Sequence, residues 1–119
     1  MTQLNLVVIR TNRQDDQVRF YTTLGLTFNH HRHGNGPYHY SAIIGGLTFE
    51  IYPLPATEHE PDTTTRLGFT IESLNATLQC LEEMGIETVQ APASTEWGYA
   101  AVVKDPDGRR VELIEKLIK

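Results

Sequence analysis

The stretch HHRHGNGPYHY, residues 30–40, holds four of the chain's five histidines. Imidazole is the commonest metal ligand and the side chain that changes charge near neutral pH. Two carboxylates could join such chemistry. Glu50 stands in the apolar run FEIY and Glu112 in VELIE. A charge in an apolar strand either faces solvent or faces a site that uses it. Alternation places Glu50 on one face with Thr48 and Tyr52, opposite Phe49 and Ile51. It places Glu112 with Ile114, opposite Val111 and Leu113. By the same rule His31 and His33 share a face and His30 takes the other. His39, between Tyr38 and Tyr40 on the partner strand, is the histidine best placed for function. The reading is a histidine-rich hairpin at the rim of a ligand hollow. The competing reading is a metal site in which neighbouring strands each supply a histidine, with His33 opposite His39 in one register.

Other residue sets are less suited to chemistry. Gly34, Gly36, Gly45 and Gly46 are turn glycines with no helix after them, so they form no phosphate loop. No serine, histidine and acid combination suggests a hydrolase. Asp105 and Asp107 belong to the turn DPDG. Cys80 lies in a helical pattern, where burial is expected and catalysis is not. Trp97 and Tyr99 follow a polar loop, where an aromatic can pack beneath the loop or stack on a flat ligand.

The elements that must hold these residues can be read from periodicity and turn signals. LNLVVI (4–9) is a strand, and DDQVRFYTTLG is a helix with Val18, Phe20, Tyr21 and Leu24 inward and Gly25 as its stop. LTFNHHRH (26–33), YHYSAII (38–44) and LTFEIY (47–52) are strands, separated by the turns GNGP and Gly45-Gly46. Residues 54–64 read as a linker. The pattern then repeats. RLGFTI (66–71) is a strand, and SLNATLQCLEEMG (73–85) is a helix with Leu74, Leu78 and Leu81 inward. IETVQ (86–90) is a strand, APASTEWG a loop, YAAVVK (99–104) a strand, and RRVELIEKL (109–117) closes the chain. The first helix ends in LGL and the second in MGI. Such a duplication is itself a fold signal. Neither half can bury its sheet face alone, and packing the two together would leave a hollow suited to a small ligand.

Composition narrows the function. At 119 residues this is one domain by length. The formal charge is −5 with no basic stripe, which argues against nucleic acid. No apolar run suits a signal peptide or a membrane span, so a cytoplasmic protein is expected.

FYTTLGL (20–26), the paired βαβββ pattern and KDPDGRRVELIE (104–115) resemble the vicinal oxygen chelate superfamily. This is the group of glyoxalase I, bleomycin-resistance proteins, fosfomycin-resistance proteins and extradiol dioxygenases. The resemblance implies an α+β fold of two tandem βαβββ modules, forming a curved mixed sheet with a concave ligand cavity and helices outside. Module one would span 1–53, the linker 54–64 and module two 65–119. It also implies one divalent metal held by His, Glu or Gln from the first and last strands of each module. Glu50 and Glu112 match the last-strand positions. The first-strand positions fall near Leu6 and Arg66, neither of which ligates a metal. Arg66 would then serve as counter-ion to the two glutamates in place of the ion.

The expected function is therefore small-molecule binding of the bleomycin-resistance kind, without the family's full metal site. The expected pocket is His39, Tyr40, Tyr52, Arg66, Trp97 and Tyr99. The alternative is a lyase, isomerase or dioxygenase of glyoxalase type with a rearranged ligand set. There Glu50, Glu112 and His39 would hold Zn, Ni, Mn or Fe, and Glu50 would act as base. A homodimer is expected, since short open sheets leave edges that favour pairing.

Overall fold

The computed structural model describes residues 1–117; Ile118 and Lys119, at the end of module two, lie outside the described residues. The order is β1 (Leu6–Thr11), α1 (Gln14–Thr23), β2 (Asn29–His31), β3 (His39–Ile44) and β4 (Leu47–Pro53). A second set follows: β5 (Leu67–Ile71), α2 (Leu74–Glu83), β6 (Thr88–Thr95), β7 (Gly98–Lys104) and β8 (Arg110–Glu115). The chain forms two compact units, Met1–Asp62 and the remainder from Thr63. Each is a βαβββ module with one four-stranded mixed sheet. The strand orders are β1-β4-β3-β2 and β5-β8-β7-β6. The pairs β1/β4 and β5/β8, at one edge of each sheet, are parallel and the others antiparallel.

Each helix covers one face of its own sheet. In the first unit Phe20 and Tyr21 of α1 are fully buried, as are Phe49 and Ile51 of β4. Tyr21 meets Phe20 edge-on at 4.8 Å and Phe49 at 4.9 Å. In the second unit Leu74 and Leu81 of α2 are buried with Val103, Val111 and Leu113. The duplication extends to the helix ends. The amides of Gly25 and Leu26 bond back to the carbonyls of Thr22 and Tyr21; those of Gly85 and Ile86 bond to Glu82 and Leu81. These are paired caps, and each turns on a glycine at positive φ, +118° at Gly25 and +81° at Gly85.

Three features differ from the sequence reading. The strand expected over 26–33 contracts to Asn29–His31. Its start is lost because the Leu26 amide is spent on the α1 cap, and its end because the His33 carbonyl accepts from Gly36 to form the turn. The segment read as the loop APASTEWG is mostly strand, since β6 runs on to Thr95. The proline that signals a loop, Pro92, falls in an edge strand at a register shift between Gln90 and Ala93, where a missing N–H costs little. Cys80 is exposed rather than buried, on the outward side of α2.

Candidate metal and ligand site

In the first unit, β4 turns Phe49 and Ile51 toward α1 and leaves Thr48, Glu50 and Tyr52 on the opposite face. The register carries that face across the sheet in three rows. Leu6, Thr48 and Ile43 form an apolar-edged row. Val8, Glu50, Ser41 and Asn29 form the middle one. Arg10, Tyr52, His39 and His31 form the third, joined by ring contacts. The His39 ring lies parallel to Tyr52 at 4.1 Å and meets His31 edge-on at 4.3 Å. The Arg10 guanidinium stands 6.0 Å from the Tyr52 ring centre. His33, just past β2, comes within 5.2 Å of His39, ring to ring.

These contacts gather one ligand atom each from His31, His33, His39 and Glu50 to within 4.8 Å of one another. His39 is only 1% exposed. Its Nδ1 lies 3.2 Å from the Pro37 carbonyl. A carbonyl only accepts, so this contact assigns a proton to Nδ1, and in the neutral ring Nε2 then carries the lone pair. Nε2 is 3.4 Å from a Glu50 carboxylate oxygen yet has no hydrogen bond. With a neutral ring, two electron-pair donors face each other, His39 buried and Glu50 partly exposed. An orienting N–H···O=C bond on one nitrogen, with the other aimed into a group of donors, is the usual arrangement of a metal-ligating histidine.

The other face of the same hairpin is aromatic packing. His30 stacks between Tyr38 at 5.1 Å and Tyr40 at 4.5 Å, and Arg32 lies over Tyr38 at 4.8 Å. The Tyr40 hydroxyl donates to Asp15 of α1. Burial, and then the negative charge of Asp15, raise the Tyr40 phenol above its ordinary value. Tyr40 therefore sits back to back with the histidine cluster rather than in it.

The remaining expected residues lie in the second unit. Glu112 of β8 pairs in register with Gly68 of β5, and its side chain makes no hydrogen bond or ion pair among the described residues. Arg66 precedes β5, is exposed, and makes no ion pair with Glu112 of its own unit among the described residues. Trp97 is 73% exposed at the β6–β7 turn. The Tyr99 hydroxyl donates to Asn75 of α2, on the helix-covered side. Of the expected set, the structure brings together His39, Tyr52 and Glu50. It adds His31 and His33. The signal for these two was the shared parity of 31 and 33, but joining them to His39 required the hairpin register, which pairs His31 with His39.

A family model for the Glyoxalase/Bleomycin resistance protein/Dioxygenase superfamily matches residues 3–113, and the chain belongs to that superfamily. Three solved structures illustrate the fold. One is described as the oxidase ChaP-H2: TM-score 0.74, 18% identity, covering 98% of this chain and 94% of that one. Another is a family enzyme from Burkholderia phytofirmans PsJN: TM-score 0.73, 17% identity, covering 98% and 100%. A third is TnmS3, an antibiotic-binding protein from Streptomyces sp. CB03234: TM-score 0.71, 21% identity, covering 98% of both chains. No curated protein sequence matches the chain.

The metal ligands that the family resemblance implies can be tested against the register. Val8 pairs with Glu50 and Gly68 with Glu112. The first-strand residue beside each last-strand glutamate therefore has no donor atom. Leu6 and Arg66 lie two residues earlier, and neither supplies one. The residues present do not fit a ligand set drawn from the first and last strands.

Proposed function

We propose that the chain is a small-molecule-binding member of its superfamily that uses the open sheet face of its first module. One observation carries this reading: the graded three-row face centred on Glu50. Leu6 and Ile43 are exposed apolar side chains at one end, 49% and 79% accessible. Glu50 stands in the middle, and the Tyr52–His39 stack closes the other end. A ligand suited to this face has an apolar body, a flat ring for Tyr52 and, in the metal-free protein, a cationic head for Glu50. The neighbour described as antibiotic-binding supports a binding role for such a fold, and the net charge of −5 favours a cation.

The test is a thermal-stability and calorimetric comparison of benzylamine and phenethylamine with benzoate on chelator-stripped protein. The amines should stabilise the wild type and not Glu50→Ala, while benzoate does neither. Equal effects of amine and benzoate would sink this reading. We further propose a cytoplasmic homodimer, to be checked by light scattering on the purified chain.

A further inference from the structure

We propose that His31, His33, His39 and Glu50 form a divalent-metal site of the Zn(II) type inside the first module, displaced sideways from the family's first-and-last-strand position. This goes beyond the binding reading and does not depend on it. Four features of one place converge. The ligand atoms lie within 4.8 Å of one another. A tetrahedral Zn(II) with bonds of about 2.0–2.2 Å sets its ligands roughly 3.3–3.5 Å apart. His39 Nε2 and Glu50 already stand at 3.4 Å. Small torsions of His31 and His33 would bring in the other two.

The second feature is the lone pair. His39 Nε2 is buried with no hydrogen bond while its own Nδ1–H is held by Pro37. A cation between Nε2 and the carboxylate would satisfy both at once. The third is mechanical support. Tyr52 stacks on the His39 ring at an interplanar angle of 8°, which fixes the direction of Nε2. His39 and Glu50 sit on adjacent strands of a regular ladder. The fourth is the donor set. Three imidazoles and a carboxylate suit Zn(II), Ni(II) or Co(II) and suit Mg(II) or Ca(II) poorly.

Four protein donors fill a tetrahedral shell, as structural sites do. The ion would tie β2 and the turn after it to β3 and β4. It would also neutralise Glu50, so that the neighbouring face would favour oxygen-donor or anionic heads over cations.

The experiment uses tag-free protein stripped with a chelator and titrated with Co(II), then Zn(II). One Co(II) per chain should bind with the intense visible absorption of four-coordinate cobalt. Zn(II) should displace it and raise the melting temperature. His33→Ala removes an exposed side chain and should fold normally, yet weaken Zn(II) binding at least about tenfold. Glu50→Gln should do the same. His30→Ala, on the opposite face, and His59→Ala, outside the cluster, should leave affinity unchanged. No uptake at micromolar protein overturns the proposal. So does uptake that survives both His33→Ala and Glu50→Gln, or that His59→Ala abolishes. A weak octahedral cobalt spectrum overturns the four-ligand set.

Discussion

His39 Nε2 stands 3.4 Å from a Glu50 carboxylate oxygen with no hydrogen bond between them. With Nδ1–H committed to Pro37, both atoms are acceptors when the ring is neutral. Replacing one acceptor by a donor should relieve this. Glu50→Gln offers an amide N–H to Nε2, and a made buried hydrogen bond contributes about 1 kcal/mol. Chelator-stripped Glu50→Gln should therefore melt higher than wild type by about 4 °C in calorimetry. A lower melting temperature would mean that the contact needs the carboxylate charge itself.

The two helix caps make a matched pair of backbone tests. Gly25 at φ +118° and Gly85 at +81° occupy conformations that a side chain resists. No neighbouring atom lies within 4 Å of an added Cβ at either position, so the cost is conformational alone. Gly25→Ala and Gly85→Ala should each destabilise by about 1–2 kcal/mol in urea unfolding. Two variants with near wild-type midpoints would show that these ends refold into another cap.

Most of the architecture was legible because its signals are local. LGL and MGI after amphipathic stretches mark two glycine-capped helices, and FEIY and VELIE alternate cleanly. The site was legible only in part. Glu50 and Tyr52 follow from parity within one strand, and His39 was chosen for its place between two tyrosines on the neighbouring strand. Adding His31 and His33 depends on where the GNGP turn closes, which is a property of two strands. Tyr40 and Tyr99 were expected in the pocket, yet their hydroxyls bond to Asp15 and Asn75 of the helices. An aromatic beside a polar loop does not reveal which face it takes. Arg66 lay beyond reach for another reason: the strand begins one residue after it.

The Tyr40–Asp15 contact predicts an alkaline signature. The raised phenol means that the fold favours neutral Tyr40, through burial first and the Asp15 carboxylate second. Its contribution to stability is present below the ordinary tyrosine range and is lost as pH rises through the raised value. Asp15→Asn should lower the Tyr40 ionisation toward the ordinary range, read as the difference between wild-type and Tyr40→Phe ultraviolet titrations. An unchanged Tyr40 ionisation would leave burial as its whole cause.

Gly68 offers a stabilising substitution. It lies in β5 beside Glu112, and an added Cβ would meet the Glu112 side chain at 3.8–3.9 Å, ordinary contact. Its φ is not positive. Gly68→Ala should stabilise by about 0.4–1 kcal/mol by reducing the freedom of the unfolded chain. A destabilised variant in urea unfolding would mean that the strand needs the glycine for a closer approach than the register shows.

The closing turn of the second unit holds its most demanding electrostatics. Arg109 is 1% exposed, and its Nη1 lies 3.1 Å from a carboxylate oxygen of Asp105 and 3.1 Å from one of Asp107. Asp105 also accepts the backbone amides of Asp107 and Arg109 through its other oxygen. One carboxylate thus shapes the turn that feeds β8 and neutralises the cation within it. Arg109→Met would remove the cation that contacts both of these nearly buried carboxylates. Breaking a buried pair from one side costs about 3–5 kcal/mol, so Arg109→Met should lose more stability than either glycine-cap variant. Adding Asp105→Asn keeps an oxygen for the two amides and removes one of the stranded charges. The double variant should therefore recover part of the loss, and urea unfolding of the four-member cycle measures how much. Additive losses would show that Arg109 acts through packing of its stem rather than through its charge.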